Sequence, residues 1–450
     1  MKVSAIILAA GQGTRMQSTL AKVLHPLLGR PMIFYALETA QQVSGCQPVV
    51  VVGHGADQVK ATIGESARCV LQEPQLGTGH AVQQAMSHLE GSADMVLVLA
   101  ADMPLLRVET LQKLVKAQLN HTGPMTLLST IADQARGFGR VQRGYDGRVI
   151  GVIEEAQATS DQLLIRELNT SVYCFSAGWL WKTLPRIPLS PKGEYYLTDL
   201  VGIATADGLT VQSVQVEDPV EAIGVNNRLH LAEAEAELRR RVNTDWMLAG
   251  VSMIDPTSTY IESGVKIGKD TVIWPNTYLQ GNTQIGENCT LGPNSIICDT
   301  QVGNMCEILA SVLEGAIVED EVHIGPFGHL RKGAHLGRGV HMGNFGEVKS
   351  SYLAAGVKMG HFSYIGDAAI GPDVNIGAGT ITCNFDGKNK YPTEIDAEAF
   401  IGSDTMLVAP VKIGEGARTG AGSVVTKDVP AHSLAVGIPA RVIRKFEKRD

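Results

Sequence analysis

A loop of small residues near the amino terminus lies beside two cationic side chains. The run Leu8-Ala9-Ala10-Gly11-Gln12-Gly13-Thr14-Arg15-Met16 follows an apolar segment, and Lys22 comes seven positions after Arg15. Small residues let backbone N–H groups approach a phosphate or a base closely, and the two cations can neutralise a polyphosphate. The loop lacks the third glycine of a dinucleotide-binding fingerprint, where Met16 stands, and it also lacks the Gly-Lys-Ser/Thr of a Walker A loop. It therefore predicts a phosphate site of another kind.

A histidine in the second half of the chain stands among residues suited to acid–base chemistry. His361 lies in Lys358-Met359-Gly360-His361-Phe362-Ser363-Tyr364, downstream of Arg331 and of Asn344-Phe345-Gly346-Glu347-Val348-Lys349. Histidine titrates near neutral pH and can act as a general base. A single histidine is more often structural than catalytic, so the prediction of chemistry here depends on the charged residues around it.

Four further histidines recur at intervals of six residues, at 323, 329, 335 and 341. A metal site is one interpretation of this spacing. Residues six apart fall on successive sides of a three-sided coil, so only His323 and His341, eighteen positions apart, can lie side by side. We therefore interpret these histidines as surface or turn residues.

Length and composition limit the class of protein. The chain has 450 residues, 44% of them hydrophobic, and a net charge of −8, and this length predicts two to four domains. A mildly acidic chain has no general field for nucleic acid or an anionic membrane, and no apolar run approaches the roughly 20 residues that span a bilayer. The seven cysteines are scattered without a CxxC pair, which favours a reducing, cytoplasmic compartment.

The first half of the chain alternates strand-like and helix-like segments. Residues 3–9, 49–52 and 95–100 are short apolar runs, and residues 32–42 have a helical pattern. This alternation predicts a parallel, Rossmann-like α/β sheet that binds ligands at the carboxyl ends of its strands. We interpret the first run as a buried strand rather than as part of a signal peptide.

The sequence pattern changes at a charged segment, residues 227–250, where leucines and alanines alternate with glutamates and arginines. We predict a single helix there that connects a domain at residues 1–226 to a second domain at residues 251–450. The second domain has a different pattern, because an aliphatic residue recurs at every sixth position and a glycine often follows it.

This hexapeptide repeat predicts a parallel β-helix, in which each six-residue segment forms one side of a triangular coil. The repeat is interrupted at length between Thr382 and Ile395, where a solenoid would expel the extra residues as a loop, often on its binding face. The predicted interior residues are Ile261, Ile267, Ile273, Leu279, Ile285, Leu291, Ile297, Val318, Ile324, Leu330, Leu336, Met342, Val348, Leu353, Met359, Ile365, Ile370, Ile376, Ile395, Ile401, Leu407, Ile413, Thr419 and Val425.

Motifs in a fixed order resemble those of a known family. Besides the loop at 8–16 they include Gln72 before Gln75-Leu76-Gly77-Thr78-Gly79-His80-Ala81, Asp102 in Leu99-Ala100-Ala101-Asp102-Met103-Pro104, Gly139-Arg140, Glu154, Asn169-Thr170, Glu194-Tyr195-Tyr196-Leu197-Thr198-Asp199 and Gly224-Val225-Asn226-Asn227-Arg228. Together with the hexapeptide half, essentially the whole chain resembles the bacterial family of bifunctional UDP-N-acetylglucosamine pyrophosphorylases and glucosamine-1-phosphate N-acetyltransferases.

The resemblance implies a left-handed β-helix, a homotrimer and two activities. The family acetylates glucosamine-1-phosphate with acetyl-CoA. It then transfers UMP from UTP to N-acetylglucosamine-1-phosphate, which supplies UDP-N-acetylglucosamine for cell-wall and lipopolysaccharide precursors.

The resemblance also implies roles in the first half. Arg15 and Lys22 would hold the phosphates of UTP, and Asp102 and Asn226 would ligate Mg²⁺, which prefers oxygen ligands and takes only one or two from protein. Taken alone, Asp102 and Asn226 would more often be loop or capping residues. Transfer of this kind needs positioning and charge neutralisation rather than a protein nucleophile. The residues that would bind the uridine nucleotide or the amino sugar are Leu8, Ala9, Ala10, Gly11, Gln72, Gly77, Thr78, Ala100, Ala101, Gly139, Glu154 and Asn169.

In the second half, the resemblance makes His361 the general base that removes a proton from the amine of glucosamine-1-phosphate. We expect Glu347 to orient or polarise His361, and no metal is implied there. The residues that would hold the sugar phosphate are Arg331, Lys349, Tyr364 and Asn375. Those that would bind acetyl-CoA are Ala378, Asn384, Phe385, Ser403, Ala421 and Arg441.

Three positions depart from the family pattern. Ala101 stands where glycine is common, Phe385 where tyrosine is usual, and Ile438 where arginine is usual. The change at Phe385 removes a hydroxyl contact to CoA but leaves a ring for stacking. Arg441, three positions after Ile438, would contact the CoA phosphates instead.

Two other functions fit parts of the sequence. One is a single nucleotidyltransferase whose β-helix only oligomerises, and the other is a solenoid scaffold without catalysis. His361 with Lys349, Arg331 and Asn384 argues against the first, because a purely structural helix has no reason to keep this set. The phosphate loop with Asp102 argues against the second. We therefore predict a two-step enzyme with small-molecule substrates and without nucleic-acid or membrane partners.

Overall fold

The computed structural model describes residues 1–446. It groups into two compact units, Met1–Leu238 and Arg239–Asp450, and the division falls within a single helix, Arg228–Leu248. That helix occupies the segment in which the sequence predicts a connecting helix, whereas the domain limits at residues 226 and 251 stay a prediction. Within the described residues, no helix is both long enough and apolar enough to cross a lipid bilayer.

The first unit is built on a mixed sheet with helices packed against it. Its strands are β1 (Val3–Ala9), β2 (Pro26–Leu27), β3 (Arg30–Pro31), β4 (Val49–Val52), β5 (Arg68–Leu71), β6 (Met95–Ala100), β7 (Met125–Ile131), β8 (Gly139–Arg143), β9 (Val149–Ile153), β10 (Glu167–Ser176) and β11 (Val211–Gln215), of which β2 and β3 form a separate pair. Its helices are α1 (Ile33–Ser44), α2 (Ala56–Ile63), α3 (Gly77–Leu89), α4 (Val108–Leu119), α5 (Ser160–Leu163), α6 (Ala177–Thr183) and α7 (Asp199–Ala206).

The strand order is β5-β4-β1-β6-β10-β7-β11-β9-β8. Strands β5, β4, β1 and β6 are parallel, which confirms the parallel part that the apolar runs predict. The burial of all four residues of β4 follows from cover on both faces of the sheet. Beyond β6 the sheet becomes mixed, because β10 runs antiparallel to β6, β7 and β8. Since β1 and β6 are parallel neighbours with Leu8 opposite Ala100, the loop after β1 and the loop after β6 meet at one edge.

The second unit is a left-handed parallel β-helix whose three sheets form the faces of a triangular prism. The strands of the first face are Ser252–Met253, Val272–Ile273, Thr290–Leu291, Glu307–Ile308, His323–Ile324, His341–Met342, Lys358–Met359, Asn375–Ile376, Phe400–Ile401, Arg418–Thr419, Ser433–Gly437 and Ala440–Lys445. Those of the second face are Thr259–Ile261, Thr277–Gln280, Ile296–Cys298, Val312–Glu314, His329–Leu330, Gly346–Lys349, Ser363–Gly366, Ile381–Cys383, Met406–Val408 and Val424–Val425. Those of the third face are Lys266–Ile267, Gln284–Ile285, Gln301–Val302, Ile317–Val318, His335–Leu336, Tyr352–Leu353, Ala368–Ile370, Thr393–Ile395 and Val411–Ile413.

All of the predicted interior residues of the β-helix are buried, so the hexapeptide pattern is confirmed. Full burial of one aliphatic side chain contributes about 1.5–3 kcal/mol, and a continuous column of such residues is the core of the unit. Val302, Ile308 and Leu313 continue the column where the register slips. The coils are shorter there, since Gln284 pairs with Gln301 and Ile296 pairs with Val312.

The spaced histidines lie on the outside of this prism. His323 and His341 are partners on adjacent strands with ring centroids 6.2 Å apart, as their spacing predicts. Three of the four histidines contact a glutamate of the preceding coil. The pairs are His323 with Glu307 at 3.0 Å, His329 with Glu314 at 3.1 Å and His335 with Glu319 at 2.8 Å.

Candidate functional sites

The first unit has a cavity of about 680 Å³ at the carboxyl ends of β1 and β6. Most of the residues predicted for the nucleotide and its phosphates line this cavity. They are Leu8, Ala9, Ala10, Gly11, Arg15, Lys22, Gln72, Gly77, Thr78, Ala100, Asp102 and Asn226. The structure therefore brings to one place residues that lie far apart in the sequence.

The glycine loop is shaped so that Lys22 can pack beneath it. Gly13 has φ +63°, and a Cβ atom at this position would lie 2.7 Å from Cβ of Lys22. Only glycine adopts such a conformation without strain and leaves this space. Gly13 thus lets the loop close over the stem of Lys22, and the ammonium group reaches the cavity.

Two cationic side chains and two side chains with acceptor oxygens lie together in this cavity. The Arg15 guanidinium Nη2 donates a hydrogen bond to Oδ1 of Asn226 at 3.0 Å. The Lys22 ammonium donates to the Asp102 carboxylate, and it also donates to Asn226 Oδ1 at 3.3 Å. Lys22 and Asp102 are largely buried, with 14% and 21% of their side chains exposed, so their charges are only weakly screened.

The side-chain oxygens of this cluster are suitable ligands for a hard divalent cation. Asp102 and Asn226 already share one positive charge, the Lys22 ammonium, so their oxygens converge on a common region. Mg²⁺ binds through one or two carboxylate or amide oxygens and leaves its other positions to water and phosphate. These two residues could therefore hold Mg²⁺ beside the phosphates of a bound nucleotide.

Ala101, predicted among the nucleotide residues, does not line the cavity. Its side chain is buried in the core, and its N–H donates to the Leu8 carbonyl at 3.0 Å. Ala101 does not have a positive φ angle. An alanine therefore fits where the family commonly has glycine. Ala101 links the ends of β1 and β6, whereas Ala100 and Asp102 face the cavity.

The wall that would hold the base is fixed by hydrogen bonds. Gln72 Nε2 donates to the Gly77 carbonyl at 2.9 Å. The Thr78 hydroxyl oxygen accepts the N–H of Leu197 at 3.0 Å. Gly77 has φ +90°, and a Cβ atom there would lie 2.7 Å from the Tyr195 carbonyl oxygen. This position therefore requires glycine, because the chain at 195 approaches it closely.

Gly139, Glu154 and Asn169, predicted for the amino sugar, lie together but outside the lining of the cavity. Gly139 and Asn169 are direct partners on β8 and β10. Asn169 is buried, whereas Glu154 follows the end of β9 and accepts a hydrogen bond from the Thr198 hydroxyl at 2.7 Å. Burial, together with the negative charge of Glu154, raises the pKa of the Asp199 carboxyl above its usual range.

Sequence reasoning assigned no role to several residues that line the cavity. Glu194 and Tyr196 belong to a motif that was recognised in the sequence, but no role was predicted for its residues. The segment Arg136–Phe138 carries no periodic signal. The full set is Gln12, Gly13, Thr14, Val23, Gln75, Ala81, Met103, Arg136, Gly137, Phe138, Thr170, Ser171, Glu194 and Tyr196.

The second face of the β-helix carries Glu347 and most of the residues predicted to hold the sugar phosphate. Arg331 directly follows the strand His329–Leu330, and its Nη1 donates to Oε1 of Glu347 at 3.0 Å. Tyr364 is the neighbour of Glu347 on the next strand, and Lys349 ends the strand that holds Glu347. His361 is exposed in the turn that joins the first face to the second.

The carboxylate of Glu347, which the sequence predicts to orient or polarise His361, has a different partner in the structure. It pairs with Arg331, and no hydrogen bond joins it to His361 within the described residues. The geometry of the coil explains this pairing, because Arg331 and Glu347 project from neighbouring strands of one face. His361 belongs to the turn that precedes the following strand.

Several residues predicted for acetyl-CoA lie in a row with His361 along the edge between the first and second faces. They are Ala378, Ser403 and Ala421, each in the corresponding turn of a later coil. Backbone hydrogen bonds tie these turns together. They run from the N–H of Gly379 to the Phe362 carbonyl at 2.7 Å, from Asp404 to Ala378 at 2.6 Å and from Gly422 to Ser403 at 2.8 Å.

The interruption of the repeat forms a loop at the opposite edge of the second face, as predicted. The Asn384 side chain donates to the Asp367 carboxylate, and the Asn384 carbonyl accepts the N–H of Tyr391 at 2.8 Å. Phe385 is 59% exposed and forms a β-bridge with Lys390. The loop is therefore compact and presents an aromatic ring to solvent.

Lys390 of this loop lies beside Lys349, a contact that the sequence did not predict. The side chain of Lys390, followed by the charge of Arg331, lowers the pKa of Lys349 below its usual range. Three cations thus gather at one end of the second face, which suits a phosphate group. The signal available in the sequence was the interruption itself, since solenoids often place expelled loops on the binding face.

Two predicted residues lie elsewhere in the unit. Asn375 projects from the first face, between Lys358 and Phe400 of the adjacent strands. Arg441 is in the hairpin of Ser433–Gly437 and Ala440–Lys445, and its Nη1 donates to the Ala440 carbonyl at 2.9 Å. The fold of one copy does not bring these two residues to the second face.

Comparison with known proteins agrees with both units. Residues 5–163 match the family model of the MobA-like NTP transferase domain. Residues 264–299 match that of the bacterial transferase hexapeptide (six repeats), and residues 392–427 match the hexapeptide repeat of succinyl-transferase.

Curated relatives match almost the whole chain. The bifunctional protein GlmU of Trichlorobacter lovleyi is 45% identical over 454 residues, which cover 99% of both chains. The protein of the same name from Pelobacter propionicus is 45% identical over 448 residues, covering 98% of this chain and 97% of the relative. That of Exiguobacterium sibiricum is 46% identical over 433 residues, 96% of each. With identities of this size over both units, the chain belongs to the family of bifunctional GlmU proteins.

Proposed function

We propose that the two units perform successive transfers on one sugar phosphate. The β-helix acetylates glucosamine-1-phosphate with acetyl-CoA, and the first unit transfers UMP from UTP to the resulting N-acetylglucosamine-1-phosphate with release of pyrophosphate. The observation that carries this proposal is the presence in one chain of two separate groups of residues. One joins Arg15, Lys22, Asp102 and Asn226. The other gathers Arg331, Lys349 and Lys390 at one end of the second face, whose opposite edge carries His361.

In the first unit the chain binds and orients the phosphates. Arg15 and Lys22 bind the phosphates of UTP and neutralise the charge that develops on the departing pyrophosphate. An oxygen of the sugar phosphate attacks the α-phosphorus in line, so no protein nucleophile is needed. Asp102 and Asn226 would hold Mg²⁺, which would supply further charge neutralisation there.

In the second unit His361 acts as the general base. It takes a proton from the amine of glucosamine-1-phosphate, whose nitrogen attacks the carbonyl carbon of the thioester. The carbon–sulfur bond breaks, and the departing CoA thiolate takes up the proton that His361 removed, so that free thiol is released. Arg331, Lys349 and Lys390 hold the sugar phosphate, because three cations at one end of the face match its charge.

Acetyl-CoA lies along the edge that leads away from His361. The turns at Ala378, Ser403 and Ala421 form the row on which it rests, and the expelled loop adds Asn384 and Phe385 at the other edge. Phe385 contributes a ring but no hydroxyl. Arg441 of the carboxyl-terminal hairpin binds the CoA phosphates.

The working form is a homotrimer. Asn375 projects from the first face, whereas Tyr364 and Lys349 project from the second. A closed arrangement of three prisms brings the first face of one copy against the second face of the next, because a head-to-tail contact forms a ring when the rotation between copies closes. The seven cysteines are all free thiols, which fits the cytoplasmic location that we propose.

Acetyl transfer without UTP tests the proposal. Purified protein is mixed with acetyl-CoA and glucosamine-1-phosphate, and release of free thiol is followed. The test variant is His361→Ala and the control is His88→Ala, an exposed histidine of α3 in the first unit. Sugar-dependent thiol release that is lost only in His361→Ala supports the proposal. Absence of release from protein that still makes UDP-N-acetylglucosamine would reduce the β-helix to an oligomerising role.

A further inference from the structure

Asn169 has an unused hydrogen-bond acceptor in a buried position. The residue is 1% exposed, and its Nδ2 donates to the Tyr173 hydroxyl at 2.7 Å. Its Oδ1 is buried and has no partner among the described residues. Buried polar atoms are nearly always paired, because an unpaired one forfeits its bond to water without replacement. A donor on a bound ligand would satisfy this oxygen.

Tyr173 is held firmly in the position that it takes against Asn169. It is 2% exposed, and its ring packs at 5.6 Å from that of Phe175. Burial raises the pKa of the Tyr173 hydroxyl above its ordinary value, so the group stays neutral. A neutral, immobile hydroxyl is well suited to fix a neighbouring amide.

An irregularity in β10 makes this contact possible. In a regular strand two residues four positions apart are separated by about 13 Å along the chain. Between Asn169 and Tyr173 the register shifts, because Asn169 pairs with Ser129 and Tyr173 with Leu127. Ser171, within the bulge, has φ +61°. The bulge shortens the path between the two side chains and turns them toward each other.

The unpaired oxygen belongs to the group of residues proposed for the amino sugar. Gly139 is the cross-strand partner of Asn169. The negative charge of Glu154 acts on Tyr173, which places Glu154 in the same neighbourhood, and the Thr198 hydroxyl holds Glu154 in turn. Thr170 and Ser171, between Asn169 and Tyr173, line the cavity. The acceptor therefore lies beside the space that a sugar phosphate must reach.

We infer that Tyr173 is a positioning residue for the sugar acceptor. By accepting the hydrogen bond of Nδ2, it fixes the Asn169 amide in the orientation that leaves Oδ1 to accept a hydrogen bond from a hydroxyl or N–H group of the sugar-1-phosphate. Tyr173 acts only through Asn169 and does not itself contact the substrate. This inference rests on the function proposed for the first unit.

Removal of the hydroxyl alone tests the inference. In Tyr173→Phe the ring remains, so we expect KM for N-acetylglucosamine-1-phosphate to rise by about fivefold, in line with the loss of one neutral hydrogen bond. The values of kcat and of KM for UTP should stay within about twofold of those of the unaltered protein, because the phosphate and nucleotide residues are untouched. The matched control is Tyr35→Phe, which removes a hydroxyl bonded to the Leu27 carbonyl and should change neither KM.

A double variant distinguishes the positioning role of Tyr173 from the proposed sugar site at Asn169. Asn169→Ala should raise KM for the sugar phosphate, and adding Tyr173→Phe to Asn169→Ala should raise it no further, because the hydroxyl acts only through the amide. If Asn169→Ala leaves KM unchanged, the proposed sugar site is wrong. If Asn169→Ala raises KM but Tyr173→Phe does not, or if the two effects add, the positioning role of Tyr173 is overturned. Calorimetric titration with UTP shows whether each variant is folded.

Discussion

The guanidinium of Arg15 donates a hydrogen bond to the amide oxygen of Asn226 at 3.0 Å, although 211 positions separate the two residues. A second link runs beside it, from Nε of Arg228 to the Met16 carbonyl at 3.2 Å. The loop after β1 is thus joined twice to residues 226–228, where the helix Arg228–Leu248 begins. The cations proposed to bind phosphate and one proposed metal ligand are consequently held in a fixed relation before any substrate arrives.

Replacement of Asp102 tests the proposed metal site. Asp102→Asn keeps the shape of the side chain but removes the charge that attracts a divalent cation. We expect uridylyl transfer to fall by about 100-fold, the size of effect typical for loss of one electrostatic stabiliser, and to need more Mg²⁺ for saturation. Acetyl transfer should be unchanged. The control is Asp133→Asn, at an exposed aspartate that pairs with Arg166, and an equal loss in both variants would count against the assignment.

A methyl group at Gly11 should obstruct the nucleotide without harming the fold. No atom lies within 4 Å of the position that a Cβ atom would take there, and the residue lines the cavity. In Gly11→Ala we expect KM for UTP to rise by about tenfold, while the free energy of unfolding changes by less than about 1 kcal/mol. Steady-state kinetics and thermal unfolding provide the two measurements.

Gly202→Ala is the matched control for this prediction. Gly202 lies in α7 and also has open space around its missing Cβ. The added methyl group should leave KM for UTP unchanged. A similar increase in both variants would show that the effect is not local to the nucleotide cavity.

The ion pair between Arg331 and Glu347 predicts which kinetic constant a change at Glu347 affects. In Glu347→Gln the guanidinium loses its charged partner. The two side chains are 42% and 35% exposed, so the interaction is worth only about 0.2–1 kcal/mol. We expect KM for glucosamine-1-phosphate to change by no more than about fivefold and kcat to stay nearly constant. A large fall in kcat with an unchanged KM would instead indicate that Glu347 acts on His361 during catalysis.

The lowered pKa of Lys349 predicts a pH dependence of phosphate binding. Because Lys390 and Arg331 disfavour its charged form, Lys349 loses its proton at a lower pH than an ordinary lysine does. Affinity for a sugar phosphate should therefore decline as pH rises through this lowered pKa. Lys390→Gln removes the main cause, so the decline should begin at a higher pH, although affinity near neutral pH is weaker.

The inhibition constant of N-acetylglucosamine-1-phosphate against thiol release measures this effect at the acetyl-transfer site alone. It is determined across the alkaline range for the unaltered protein, for Lys390→Gln and for Lys388→Gln. Lys388 belongs to the same loop but is not among the causes of the shift at Lys349. If the profile of Lys390→Gln does not move to higher pH relative to that of Lys388→Gln, the proposed contact is wrong.

Periodic features of the fold were predictable from the sequence, because their pattern depends on local geometry. The aliphatic residue at every sixth position specifies the interior of the β-helix directly, and the runs at β1, β4 and β6 specify parallel strands. Strand β10 was not predicted, since its pairings with β6, β7 and β8 join segments far apart in the chain. Its bulge leaves no periodic signal either.

In the candidate sites, too, the sequence predicted which residues carry motifs but not the contacts between residues far apart in the chain. Motifs placed Lys22, Asp102 and Asn226 in one cavity, but they did not show that the Lys22 ammonium contacts both other side chains. The partner of Glu347 was missed because the sequence does not give the exact length of each coil. Lys390 was missed because a loop outside the repeat has no register from which its neighbours can be deduced.

The expelled loop has a consequence for how the β-helix can change in length. Asn375 and Phe400 are adjacent on the first face although 25 positions separate them, whereas Tyr260 and Tyr278, adjacent on the second face, are 18 positions apart. Extra residues at an edge therefore leave the order of every later strand intact. Insertions and deletions at edges can alter what the protein binds, while those within a face would displace all the coils that follow.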